Sequence, residues 1–82
     1  MSLVMIGFNP NRAEQLRMKK GFRRAFIAGE CGITSNYLSL LMHGHRAPSE
    51  RVLNLMALAL GTSTDYLTGK SDDPSPPKGQ VA

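Results

Sequence analysis

The sequence of 82 residues has little cysteine, few acidic residues and no long apolar run. Its single cysteine, Cys31, excludes an intramolecular disulfide framework and gives no sign of an oxidising compartment. No apolar run approaches the ~18 residues of a membrane span. Residues 1–8 are apolar but lack the basic region and the longer apolar core of a signal peptide. These absences predict a cytoplasmic protein without membrane contact.

Catalytic and metal-binding groups are equally sparse. The six Asp and Glu are scattered along the chain, with no paired carboxylates, no Ser/His/Asp set and no Gly-rich phosphate loop. His43 and His45 form an H-x-H, but no third ligand lies at metal-binding spacing. We therefore expect a protein that is not an enzyme and that uses no cofactor, no metal and no small-molecule ligand.

Basic residues are in excess, and they lie mainly in the first half of the chain. The ten Lys and Arg outnumber the acidic residues to give a net charge of +4 and a pI near 9.7. Residues 12–46 hold seven basic and two acidic residues, a local charge of +5, whereas residues 47–82 carry −1. A positive charge confined to one half favours a polyanionic partner such as nucleic acid.

Helix signals dominate the middle of the chain. Capping residues and glycines bracket five segments whose apolar residues recur at helical intervals. The first segment covers residues 10–20, and the second is a helix of about nine residues that follows Phe22 and ends before Gly32. The others lie between Thr34 and His43, Ser49 and Gly61, and Ser63 and Gly69. No strand-type alternation is visible, so the predicted fold is all-α, a compact bundle of about five short helices.

Three regions are expected along the chain. Residues 1–9 form an irregular N-terminus, and residues 10–70 form the helical domain. Residues 71–82 contain three prolines and a single large apolar residue, which predicts a disordered Pro-rich tail or linker.

The second and third predicted helices form a tight pair on the basic half of the chain. Only a few residues around Gly32 separate them, which is typical of a helix-turn-helix DNA reader. The major groove of DNA admits one α-helix, whose first residues reach the base edges. The candidate reading helix opens with the polar or amphipathic residues Ser35, Asn36 and Tyr37.

A family resemblance makes this interpretation specific. Residues 22–44, FRRAFIAGECGITSNYLSLLMHG, resemble the helix-turn-helix of lambda-repressor-like proteins, the phage Cro and repressor type. The flanking segments LR at 16–17, RAPS at 46–49 and LALGTS at 58–63 are similar too, and the resemblance covers about residues 13–69 without a gap. It implies a sequence-specific transcriptional regulator, a repressor on the nucleoid, that binds a palindromic operator in double-stranded DNA as a homodimer.

The resemblance also implies roles for individual residues. Arg24 stands where the family has a Gln that contacts a backbone phosphate and braces the first reading side chain. The base-reading positions are those of Ser35, Asn36, Tyr37, Ser39 and Leu40. The phosphate-contacting positions are those of Arg17, Arg23, Arg24, Thr34, His43, His45 and Arg46. For Arg17 and Arg46 a structural role is as well supported as a phosphate contact.

Three positions depart from the family pattern. Phe26, Leu40 and Met42 are apolar where the family has polar residues, and an acid at position 42 often pairs there with the first-helix Arg that Arg17 matches. Exposed apolar groups suggest an interface, so Phe26 is a candidate to pack on the apolar N-terminus or on a partner chain. They leave open a second hypothesis, an antitoxin-like or protein-interaction module that reuses the fold.

Overall fold

Five α-helices make up most of the molecule. The structure is a computed structural model that describes residues 7–77. The helices are α1 (Pro10–Lys20), α2 (Arg24–Cys31), α3 (Ser35–Met42), α4 (Glu50–Leu60) and α5 (Thr64–Leu67). No strand occurs between residues 7 and 77, and the predicted all-α bundle of five short helices is confirmed.

Side-chain caps start four of the helices at the predicted positions. Asn9, Thr34, Ser49 and Ser63 each accept a hydrogen bond from a backbone N–H in the first turn that follows. Such caps satisfy N–H groups that have no partner inside the helix. The starts of α1, α3, α4 and α5 therefore follow from local chemistry.

The second helix ends before Gly32, as predicted, and has eight residues where about nine are expected. It begins at Arg24, because the backbone of Arg23 is extended, with φ −81° and ψ 154°. The N–H of Phe22 donates to the Arg17 carbonyl at 3.0 Å, which closes the end of α1 over Gly21. Gly21 has φ 75°, a left-handed conformation that glycine adopts without strain.

The core lies where α4 packs against α1, α2 and α5, with α3 packed against α1 and α2. Its fully buried large side chains include Ile27, Leu38, Leu41, Met56, Leu60 and Leu67. The predicted burial of Cys31 is confirmed, since its side chain has no exposed surface. Burial raises the pKa of the Cys31 thiol, and the nearby Glu30 carboxylate adds to the effect. Cys31 is thus a small core hydrophobe with an unreactive thiol.

The segment after α5 returns to the start of α1. Nη1 of Arg12 donates to the carbonyls of Tyr66 at 2.8 Å and Ser71 at 2.7 Å, and Nη2 donates to Asp72 Oδ1 at 2.6 Å. The guanidinium also lies over the Tyr66 ring, 4.4 Å from its centroid. The first two residues of the predicted tail are therefore bound to the domain. The role of the tail as a linker stays a prediction, and residues 78–82 lie outside the described range. Residues 1–6 lie outside it as well, and they make up most of the apolar N-terminus that was proposed to pack on Phe26.

Candidate nucleic-acid interface

A short turn fixes the angle between α2 and α3. Gly32 has φ 69°, and the N–H of Ile33 donates to the Ala28 carbonyl at 3.0 Å. Thr34 then caps α3 by accepting from the Tyr37 N–H at 3.0 Å. Leu38 and Leu41 are three residues apart on one side of α3, and this side faces the core. The opposite side of α3 faces solvent.

The solvent-facing side of α3 carries most of the residues that were expected to read bases. Ser35, Asn36 and Leu40 are exposed, and Ser39 is half-buried between them. Asn36 and Leu40 are four residues apart, so they lie on the same face of the helix. Tyr37 differs, because its side chain packs against the core and is half-buried. The structure thus brings Ser35, Asn36, Ser39 and Leu40 together and places Tyr37 at the edge of this face.

The N-terminus of α2 has no side-chain cap. Arg23 occupies the cap position without a capping hydrogen bond, and the first turn contains no acidic residue. Two cations, Arg23 and Arg24, therefore stand at the positive end of the helix dipole. This arrangement costs stability in isolation and favours an anion at that place.

A cluster of three charged residues joins α1, α2 and α3. Glu14 accepts from Arg17 Nε at 3.0 Å and from Arg17 Nη2 at 2.5 Å, and Arg17 Nη1 donates to the Phe22 carbonyl at 2.7 Å. Arg24 lies between α1 and α3, with Nη2 3.4 Å from Glu14 Oε2 and Nη1 3.4 Å from Ser39 Oγ. The sequence analysis missed Glu14 in this role, although its spacing of three residues from Arg17 is a local signal for a helical ion pair.

Hydrogen bonds from Arg17 have the largest effect on the pKa of the Glu14 carboxyl and lower it, while burial opposes them. The charges of Arg17 and Arg24 and the hydrogen bond from Arg24 lower this pKa further, each by less. The bonds between Glu14 and Arg17 raise the pKa of Arg17. Glu14 is therefore ionised at neutral pH, and the cluster carries one negative and two positive charges. Its net charge is +1, on a surface that adjoins α3.

Comparison with known proteins assigns the family. The helix-turn-helix family model matches residues 14–67, which include α2, α3, α4 and the charged cluster. The chain belongs to the lambda-repressor-like helix-turn-helix family. No curated protein and no solved structure matches it. The family membership makes the chain a DNA-binding helix-turn-helix regulator.

Glu14 explains one departure from the lambda-repressor-like pattern. Met42 occupies the position of the acid that often pairs with the first-helix Arg, but its side chain is only 8% exposed and belongs to the core. The expectation that Met42 contributes to an exposed partner-binding surface is therefore wrong. Arg17 finds its acid within α1, at Glu14, and its side chain is only 17% exposed. These bonds favour the structural role for Arg17.

The segment after α3 carries a second group of predicted phosphate contacts. His43, His45 and Arg46 are all exposed, and the two imidazole centroids are 6.2 Å apart. His43 Nδ1 lies 2.8 Å from the Ser39 carbonyl, so this nitrogen carries the proton and Nε2 remains for another partner. Between residues 7 and 77, no group of three His, Cys, Asp or Glu could hold a metal ion.

Within residues 7–77, large apolar side chains are exposed at four places. Phe26 is 47% exposed and its ring lies 4.9 Å from that of Phe22, so Phe22 supports one side of it. Leu40 is 38% exposed on α3. Met18 and Leu58, which the sequence analysis did not single out, are more exposed still. Among the described helices none is long and apolar enough to cross a membrane.

Proposed function

We propose that this protein is a transcriptional repressor that binds a two-fold symmetric operator as a homodimer and reads the major groove with α3. The observation that carries the proposal is the position of the polar face of α3 beside the uncapped, basic N-terminus of α2. One helix end then binds phosphate while the neighbouring helix reaches base edges, which is how helix-turn-helix proteins dock. Such a protein works on the nucleoid, in the cytoplasm.

The reading step falls to the exposed residues of α3. The side-chain amide of Asn36 can donate a hydrogen bond to N7 of adenine and accept one from the N6 amino group. This bidentate pairing identifies the base. Leu40, four residues further along, provides an apolar contact for a thymine methyl group. Ser35 and Ser39 offer hydroxyl groups, and Tyr37 reaches the same groove from the edge of the face.

Phosphate contacts on both sides of α3 set the register. Arg23, Arg24 and the N–H groups at the start of α2 bind one phosphate stretch, and the Thr34 hydroxyl at the start of α3 makes a further phosphate contact. His43, His45 and Arg46 bind the next. If three or four phosphates are neutralised in each protomer, the logarithm of a dimer's affinity falls linearly with the logarithm of the salt concentration. The slope is about 5 to 7.

Selection from a random pool of duplexes tests the proposal. The purified protein is mixed with the pool at near-physiological salt, and the retained duplexes are sequenced. We expect a two-fold symmetric consensus with half-sites about one helical turn, ~34 Å, apart, because each protomer reads one major groove. Retention without a consensus contradicts the proposal. Repression is tested by transcription from a promoter that overlaps the selected site, which should fall when the protein is present.

The exposed Phe26 and Leu40 favour a second candidate, a protein-interaction module on the same fold. Phe26 is 47% exposed in the first turn of α2, next to Arg23 and Arg24, and exposed apolar surface of this kind can mark a protein-interaction site. This candidate predicts DNA binding with a steep salt dependence and no sequence preference. The same selection experiment therefore separates the two candidates.

A further inference from the structure

The guanidinium of Arg24 is held from two sides, but weakly. Its contacts with Glu14 in α1 and with Ser39 in α3 are both 3.4 Å long, at the outer limit for a hydrogen bond. Its side chain is 37% exposed, more than that of either other member of the cluster. Arg24 is therefore oriented by its neighbours and retains N–H donors for another partner.

Glu14, in contrast, is firmly bound. Arg17 occupies both of its carboxylate oxygens through short bonds and is itself anchored to the Phe22 carbonyl. Glu14 thus keeps an ionic partner whatever Arg24 does. The cluster has one uncompensated positive charge, and a phosphate at Arg24 would neutralise it.

We propose that Glu14 is a positioning residue for operator recognition, which holds Arg24 against Ser39 so that the phosphate contact fixes α3 in its reading register. The inference rests on the proposed function, because it names a further residue for the same interface. Glu14 lies in α1, outside the helix pair that reads DNA, and acts on the DNA only through Arg24.

Charge and position act in opposite directions here, which makes the proposal testable. Removing the negative charge of Glu14 strengthens the attraction of the surface for any duplex. Releasing Arg24 from its orientation weakens binding only where a fixed register matters, at the selected operator. A residue that merely repels phosphate would change both affinities in the same direction.

The test compares Glu14→Gln with Glu30→Gln in the full chain. Glu30 is exposed on α2, so Glu30→Gln removes the same charge without changing a contact of Arg24. Affinities are measured at one salt concentration for the selected duplex and for a scrambled duplex of equal length, on samples shown to be folded by circular dichroism. We expect Glu14→Gln to lower the ratio of the two affinities about fivefold, the effect of one hydrogen bond, while its affinity for the scrambled duplex equals or exceeds that of the wild type. An unchanged ratio, or an equal fall in Glu30→Gln, overturns the proposal.

A second substitution protects the test against misfolding of Glu14→Gln. Arg24→Lys keeps the charge but not the planar fork that spans Glu14 and Ser39. We expect it to lower the same ratio, and we expect Glu14→Gln to cause no further fall in the Arg24→Lys background, because both changes break one bridge. Additive losses in the double variant would show that Glu14 acts independently of Arg24.

A measurement without DNA separates this inference from the proposed function. The Arg24 Nε–H resonance of the free protein should shift in Glu14→Gln and stay in place in Glu30→Gln, since of these two carboxylates it is Glu14 that contacts the guanidinium. An unmoved resonance overturns the positioning role even if an operator is found. A pool without a consensus overturns the proposed function, and with it the role of Glu14 in operator recognition, even if the resonance shifts.

Discussion

Arg12 and Arg24 each connect α1 to another part of the chain, yet the two junctions are built differently. At the junction of α1 with α5, Arg12 makes three hydrogen bonds of 2.6–2.8 Å and lies over an aromatic ring. At the junction of α1 with α2 and α3, Arg24 makes two contacts of 3.4 Å. The first arginine is held by three short hydrogen bonds, whereas the second has only long contacts and retains donors for a ligand.

The two junctions also differ in net charge, and the junction with the weakly held arginine is the more positive one. Arg12 faces Asp72, so the α1–α5 junction is neutral. Glu14 faces both Arg17 and Arg24, so the α1–α2–α3 junction carries one extra positive charge. A partly exposed arginine with only long contacts is a candidate for binding phosphate. An arginine that is held by several short hydrogen bonds is a candidate for a structural role.

The largest effect is expected from Arg24→Ala. It removes a charge-assisted bond to phosphate, which is worth about 1.5–3 kcal/mol, so affinity should fall about 10- to 100-fold. Both the selected and the scrambled duplex should lose this bond, because phosphate carries no sequence information, and the salt slope should fall by about 1 for each protomer. The selected duplex should lose about fivefold more, because the bridge from Glu14 through Arg24 to Ser39 is broken as well. Titration of selected and scrambled duplexes at several salt concentrations checks this. A loss confined to the selected duplex would mean that Arg24 reads a base.

Asn36→Ala should have an effect that is as large at one base pair and small elsewhere. Loss of a bidentate pairing should relax the preference at that position by about 1–3 kcal/mol. Asn54→Ala is the matched control, because it removes the same side-chain amide from an exposed position on α4, outside α3. The check is a repeated selection with each variant. An unchanged consensus for Asn36→Ala would show that α3 enters the groove in another register.

Arg12→Ala should reverse the pattern seen at Arg24. Loss of the bonds to the Tyr66 and Ser71 carbonyls should cost about 1–2 kcal/mol of folding free energy, because the exposed pair with Asp72 adds little. The Tm should fall by roughly 5–10 °C, while DNA affinity below the transition should stay within about twofold of the wild type. Thermal unfolding and duplex titration measure the two quantities. A large loss of affinity in the folded variant would place Arg12 at the DNA as well.

Local signals explain how much of this could be predicted from the sequence. The bounds of α1 and the caps at Thr34, Ser49 and Ser63 agree with expectation, because a capping side chain and its helix are neighbours in the chain. The start of α2 lies within a residue of the prediction, although Arg23 is a cap position with no capping side chain. The family resemblance placed Asn36 and Leu40 on the reading face, and both are exposed.

Long-range geometry explains what could not be predicted. The contact of Glu14 with Arg24 spans ten positions and depends on the angle at which α1 crosses α2. Helical spacing places Met42 on the side of Leu38 and Leu41, and all three are buried, whereas the family pattern had suggested an exposed position for Met42. The half-burial of Tyr37 depends on how closely α3 packs against its neighbours, which its amphipathic side chain does not indicate. The family pattern therefore located the reading helix but not the residue that holds Arg24.

The smallest effect concerns acid. Bonds from Arg17 lower the pKa of Glu14 in the folded protein below its ordinary value of 4.5, so the carboxylate stabilises the fold above that pH, and this contribution is lost as pH falls from about 4.5 through the lowered pKa. A partly exposed pair of this kind contributes about 1 kcal/mol or less. The difference in unfolding free energy between the wild type and Glu14→Gln should therefore be constant near pH 7 and shrink below pH 4.5, as measured by urea unfolding at a series of pH values. Arg12→Ala, compared in the same way, reports on the other junction. A difference that stays constant to pH 3 would show that the ionised form of Glu14 adds nothing to stability.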